Sequence, residues 1–247
     1  MLKQKLKRNR GIYLLPNLFT ISGLFAGFYA IVAAMKGMFD VASLAVFISM
    51  IADCLDGRVA RLTNTESEFG AEFDSLSDLI AFGVAPALVI YSWSLVHLGK
   101  VGWLVAFFYL AATALRLARF NVEENSGHYF KGLPSPAAAG LITGMVCFFD
   151  VNHLQSHAVY ILSAIMTVIA AGLMVSSVRY YHFKQLDLRG KVPFVVILAI
   201  IVGVILIALD PERIIFLVFL LYAASGIATS LWYFRDKGSH LLSLDEE

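Results

Sequence analysis

Four aspartates fall in two short stretches of the chain, D-C-L-D-G-R-V-A-R at Asp53–Arg61 and G-A-E-F-D-S-L-S-D at Gly70–Asp78. On a helix, Asp53 and Asp56 are three apart and share a face, as do Asp74 and Asp78, four apart. Two neighbouring helices would therefore present four carboxylates. Such a density of hard oxygen ligands suits Mg²⁺, Mn²⁺ or Ca²⁺ rather than a soft metal. Two divalent ions would neutralise the four acids and keep positions open for phosphate oxygens, which is the equipment of phosphoryl transfer. Gly57 directly follows Asp56, Ala60 lies one turn further, and Gly70 precedes Asp74 by one turn, so a bulky ligand can approach the backbone there. Arg61 adds a planar cation for a phosphate or an acid. The plainer alternative is that these are helix-end acids paired with Arg58 and Arg61.

The elements that must position these residues are membrane spans. The chain has 247 residues, 59% of them hydrophobic and 15% charged, which is far from the composition of a soluble domain. The expected fold is an all-α integral membrane protein, a polytopic bundle of about eight transmembrane helices with both termini cytoplasmic. Residues 1–13 read as a basic cytoplasmic arm, 14–234 as the transmembrane domain and 235–247 as a cytoplasmic tail. The first span runs from Leu14 to Met35, with Pro16 in its first turn, where a missing N–H is no loss. A second starts near Val41 and continues past Ala52 into the first acidic stretch. A polar link, Thr63 to Glu68, leads to a third helix whose first turns carry Asp74 and Asp78, whose apolar run covers Leu79 to Val96, and which Pro86 should kink. Further spans are predicted at Val101–Phe120, Ser135–Phe149, Ala158–Val178, Val192–Leu209 and Ile214–Phe234.

The positive-inside rule tests this topology. With the N-terminus cytoplasmic, sixteen of the nineteen Lys and Arg fall on inside segments, and only Lys36, Lys100 and Arg213 fall outside. The aspartates then sit at the cytoplasmic rim of a multi-pass protein of the cell membrane. Cys54 and Cys147 show no metal or disulfide spacing and read as packing residues. No nucleic-acid partner is indicated. Gly23 with Gly27, and Gly140 with Gly144, form two GxxxG pairs that let helices approach closely, within one subunit or between two.

The acidic stretches match D-x2-D-G-x2-A-R-x8-G-x3-D-x3-D at all its fixed positions, and on them the chain resembles the CDP-alcohol phosphatidyltransferases. The resemblance implies displacement at the β-phosphorus of a CDP-linked lipid, CDP-diacylglycerol or an ether-lipid equivalent, with CMP leaving. It implies that Asp53, Asp56, Asp74 and Asp78 hold two divalent cations and that Asp78 takes the proton of the acceptor hydroxyl. It also implies that Gly57, Ala60, Arg61 and Gly70 line the cytidine nucleotide pocket, and that the protein is a homodimer among membrane lipids. Asn17 and Thr20 are candidates to reach the nucleotide, against a role in capping or interhelical hydrogen bonding.

Four less specific runs, L-P-N-L-F-T from Leu15, R-L-A-R-F-N from Arg116, F-K-G-L-P-S-P-A-A-A from Phe130 and L-M-V-S-S-V-R-Y from Leu173, are similar to the phosphatidylserine synthase branch of that family. The implied acceptor is L-serine, whose carboxylate calls for a fixed cation near the metals. Arg116, Arg119, Lys131 and Arg179 are the candidates, against a topology-setting role at span ends. Two alternatives stand beside this one: the same transfer to glycerol phosphate or an inositol phosphate, and an ion-coupled transporter using intramembrane acids. Against the transporter, the acids sit at one rim and no inverted repeat is apparent.

Overall fold

Every regular element is helical among the residues that the computed structural model describes, which are 14–63, 65, 67–123, 132–178, 198, 201, 203, 205 and 207–242. In chain order these are α1 (Leu14–Met35), α2 (Phe39–Thr63), α3 (Glu68–Asp78), a π-helical stretch (Leu79–Val84), α4 (Ala85–Trp93), a 3₁₀ turn (Leu95–Leu98), α5 (Lys100–Glu123), α6 (Ser135–Val151), α7 (His157–Val175) and α8 (Pro211–Leu242). Five stretches among the described residues are long and apolar enough to cross a membrane: Pro16–Met35, Glu68–Trp93, Lys100–Val122, His157–Val175 and Pro211–Ala228. Helix α2 ends in the charged Asp53–Arg61 stretch, and α6 is a shorter apolar helix of 17 residues. The chain is a multi-pass membrane protein. The basic arm, most of the run expected at Val192–Leu209, and Lys131 and Arg179 lie outside the described residues.

Small residues let these helices pack tightly. Helix α1 lies along α2, where Ala30, Ala45 and Val46 are buried together with Ala81 and Phe82 of the π stretch. In hydrocarbon no hydrophobic effect pulls helices together, so such close backbone packing supplies much of the association. Both GxxxG pairs are spent inside the subunit. A Cβ on Gly27 would lie 2.8 Å from the Cα of Ala81, and one on Gly140 would lie 2.5 Å from the ring of Phe219 on α8. A second cluster joins α4, α5, α6 and α7 through Ile90, Trp93, Tyr109, Leu141, Met145 and Met174. Large apolar side chains such as Phe25, Phe107, Leu115 and Ile165 remain exposed on the outer surface, as lipid-facing positions require.

Pro86 is answered by a change of helix type. It sits in the first turn of α4, and the turns before it widen to the π form, with the Ala85 N–H bonding back to Ile80 O. Pro86 has no N–H to give the carbonyl four residues earlier, and in an α-helix its ring would press against that same carbonyl. The carbonyl is Phe82 O, and a donor from another helix meets it: the fully buried Tyr109 Oη donates to Phe82 O at 3.0 Å. The π stretch begins immediately after Asp78, so it also sets how the last aspartate is presented. Tyr109→Phe removes this buried interhelical bond and is expected to cost about 1 kcal/mol. Thermal unfolding in detergent checks this, and an unchanged midpoint would show that the carbonyl finds another donor.

Candidate active site

The site is built where the C-terminal turns of α2 meet α3 and the start of α1. Helix α3 begins cleanly because Ser67 caps it, its hydroxyl accepting from Gly70 N–H at 3.0 Å. Its register is then fixed against two neighbours. The buried Ser77 Oγ donates to Thr20 O of α1 at 3.1 Å, and Ser75 is hydrogen-bonded to Asn121 at the end of α5, whose Nδ2 donates to Ser75 Oγ at 3.1 Å. Asp74 and Asp78 flank these two serines, so the ties that hold α3 act within the acidic stretch itself.

Ligand oxygens of Asp53, Asp56 and Asp74 all lie within 4.8 Å of one another. Asp56 is the most enclosed, 5% exposed, and Asp53, Asp74 and Asp78 are half-buried. Asp78 stands within hydrogen-bonding reach of Asp53 and feels the positive charge of Arg116 on α5. The pairing of these acids with Arg58 and Arg61 is not what the fold makes. Both arginines are exposed, and Arg61 Nε donates back to Gly57 O at 2.8 Å on its own helix. Clustered acids form a donor set that fits a hard divalent cation, since like charges this close are costly unless a cation joins them.

Beside the cluster opens a cavity of about 720 Å³, on which Asp56 and Asp74 border. Asn17, Thr20, Gly57, Ala60, Arg61 and Gly70, drawn from three helices, all line it. A Cβ placed on Gly57 would meet nothing nearer than the Arg61 guanidinium at 3.7 Å, so packing does not demand a glycine there and the space belongs to the cavity. Arg116 on α5 does not line this cavity, and its positive charge acts on Asp78. Arg119 is half-buried one turn further along α5.

Thr20 lines the cavity, but its hydroxyl is turned to the acids: Oγ1 donates to Asp56 Oδ2 at 2.9 Å, with Pro16 O also near at 3.2 Å. One oxygen of Asp56 is thereby engaged, which orients the other. Partners of this kind typically change metal affinity tenfold or more. Thr20→Val is expected to weaken Mn²⁺ binding by about tenfold and Thr20→Ser to retain it. Electron paramagnetic resonance of free Mn²⁺ measures this without recourse to turnover, and equal affinity in all three proteins would show that the bond is idle.

The comparisons with known proteins agree with this geometry. The sequence profile of the CDP-alcohol phosphatidyltransferase family matches residues 13–175, which include every helix that borders the cavity. The chain belongs to that family. Among curated relatives of this phosphatidyltransferase chain, a CDP-diacylglycerol–serine O-phosphatidyltransferase of Helicobacter pylori is 43% identical over 189 residues, 76% of this chain and 79% of the relative. One of the same name from Bacillus subtilis is 36% identical over 171 residues, 69% of this chain and 92% of the relative. A third, from Methanocaldococcus jannaschii, is 37% identical over 140 residues, 57% of this chain and 63% of the relative. Sequence reasoning had no signal for Ser77 and Tyr109, whose partners are distant in the chain. Asn121 and Ser135 stand within quoted runs, R-L-A-R-F-N and G-L-P-S-P, but nothing local shows what they touch.

Proposed function

We propose that this chain transfers the phosphatidyl group of CDP-diacylglycerol, or of an ether-linked equivalent, to the hydroxyl of L-serine in phospholipid biosynthesis, releasing CMP. The observation that carries this is an acid cluster whose Asp56 and Asp74 border a roomy cavity, while Arg116, which does not line that cavity, acts with its charge on Asp78. The nucleotide has the cavity, lined by Gly57, Ala60, Arg61, Gly70, Asn17 and Thr20. The acceptor has the Asp78 side. A nucleophile and a leaving group on opposite sides of one phosphorus is what in-line displacement needs.

In this reading Asp53, Asp56, Asp74 and Asp78 hold two divalent cations, Mg²⁺ or Mn²⁺, with Ca²⁺ as a possible occupant. When bound, the metal neutralises charge developing on the diphosphate. The protein's own groups do the rest. Gly57 and Gly70 let the nucleotide approach the helix backbones, and Arg61 offers its guanidinium to a phosphate. Asp78 accepts the serine hydroxyl proton as that oxygen bonds to the phosphatidyl phosphorus and the bond to CMP breaks. Arg116 receives the serine carboxylate. Its charge acts on Asp78, and its buried Nε has no hydrogen-bond partner among the described residues.

The same reading places eight spans in the cell membrane, with residues 14–234 as one domain, both termini and the site cytoplasmic, and two copies per assembly. Support for the count comes from α2 and α6, which pack among the longer helices, and from helical backbone at residues 198, 201, 203, 205 and 207–209. Support for the dimer is family resemblance alone, since both GxxxG pairs are used within the subunit.

The deciding experiment offers CDP-diacylglycerol with serine, glycerol 3-phosphate or inositol phosphate separately, with and without Mg²⁺ or Mn²⁺, and follows CMP and lipid product. Metal-dependent CMP release with serine alone is expected. Release with another alcohol would reassign the acceptor, and no release with any of them would return the acids to an ion pathway.

A further inference from the structure

We infer that the Gly132–Ser135 loop, latched to the end of α7, is a specificity device in which Ser135 is a positioning residue that holds Arg116 for the acceptor's carboxylate. The inference rests on the proposed role of Arg116 and goes beyond it, because it assigns to a different element the job of choosing among alcohols.

Arg116 Nη1 donates to Ser135 Oγ at 2.6 Å. Ser135 is the first residue of α6; the cap position before it is Pro134, which makes no side-chain cap, and the Ser135 hydroxyl accepts from the arginine. Ser135 is 1% exposed and stands between Pro134 and Pro136, which fix the backbone on both sides.

The loop that delivers it is held by backbone bonds. Gly132 N–H donates to Val178 O at 2.8 Å and Leu133 N–H to Leu173 O at 3.0 Å, with the Leu133 side chain fully buried. Gly132 has φ +90°, and a Cβ there would collide with the Met174 carbonyl oxygen, so only glycine fits the latch. These contacts give G-L-P-S and L-M-V-S-S-V a common purpose: one run is bolted onto the other.

With Nη1 committed to Ser135, the edge that remains is Nε and Nη2, the side of a guanidinium that meets a carboxylate through two parallel hydrogen bonds. Nε on that edge is buried without a partner among the described residues. A buried cationic donor left unmet is costly, and an acceptor carboxylate would relieve it. Because the hydroxyl and carboxylate of serine are separated by only two carbons, a guanidinium held at a fixed place relative to Asp78 measures that separation. An alcohol without the carboxylate gains nothing there.

The test measures serine and CDP-diacylglycerol kinetics for Ser135→Ala, Ser135→Cys, Ser135→Thr and Arg116→Ala, with ethanolamine as the acceptor that lacks a carboxylate. Ser135→Ala is expected to raise KM for serine by about tenfold and to narrow the preference for serine over ethanolamine, with KM for the CDP-lipid unmoved and Ser135→Thr close to the unaltered protein. Ser135→Cys preserves volume but is a poor acceptor, so it gives the same answer should Ser135→Ala fail to fold. If both Ser135→Ala and Ser135→Cys keep the serine KM while Arg116→Ala raises it, the positioning role is overturned and the role of Arg116 stands. If Arg116→Ala itself leaves the serine KM unchanged, the underlying assignment fails as well.

Discussion

Asp78→Asn is expected to lower kcat for phosphatidyl transfer to serine by on the order of 10²–10⁴, the range that a positioned general base supplies. The substitution keeps the size of the side chain and its capacity to hydrogen-bond with Asp53, but removes the basic carboxylate oxygen. KM for CDP-diacylglycerol should stay within about twofold, because Asp78 does not border the cavity assigned to the nucleotide. Rapid-quench measurement of CMP formation isolates the chemical step. A kcat within tenfold of the unaltered protein would remove Asp78 from the role of base, and a parallel loss of bound Mn²⁺ would recast it as a ligand first.

The second large effect concerns Asp56, the least exposed member of the acidic triad and the one fixed by Thr20. Asp56→Ala is expected to lower metal-dependent CMP release by on the order of 10³ or more, because metal neutralisation contributes several kcal/mol to such a transition state. A structural explanation predicts something different from a ligand role, and thermal unfolding separates the two. Without metal, deleting one of several crowded carboxylates relieves repulsion, so the variant should melt no lower than the unaltered protein. With Mn²⁺, the unaltered protein should gain stability by mass action and the variant should gain much less. A variant that melts lower without metal and is stabilised equally by Mn²⁺ would make Asp56 a packing residue.

Local order in the sequence determined the two acidic helices. Spacings of three and four residues place Asp53 with Asp56 and Asp74 with Asp78 by helical geometry alone, and runs of apolar residues mark the membrane spans that carry them. It likewise marked Gly57, Ala60, Gly70 and Arg61, which stand within a turn of the aspartates and do line one cavity. Tertiary structure decided everything that joins residues far apart in the chain. It set the Thr20 hydroxyl on Asp56, and it used both GxxxG pairs within the subunit. Where Pro86 promised a kink, it placed a π-helical stretch and brought Tyr109 to the Phe82 carbonyl. It fastened Arg116 to Ser135, nineteen residues on. The physical reason is the same in each case. Helical periodicity is a property of neighbours and is written locally, whereas a hydrogen bond between helices depends on which faces pack, and many sequences with the same pattern of apolar residues could pack otherwise.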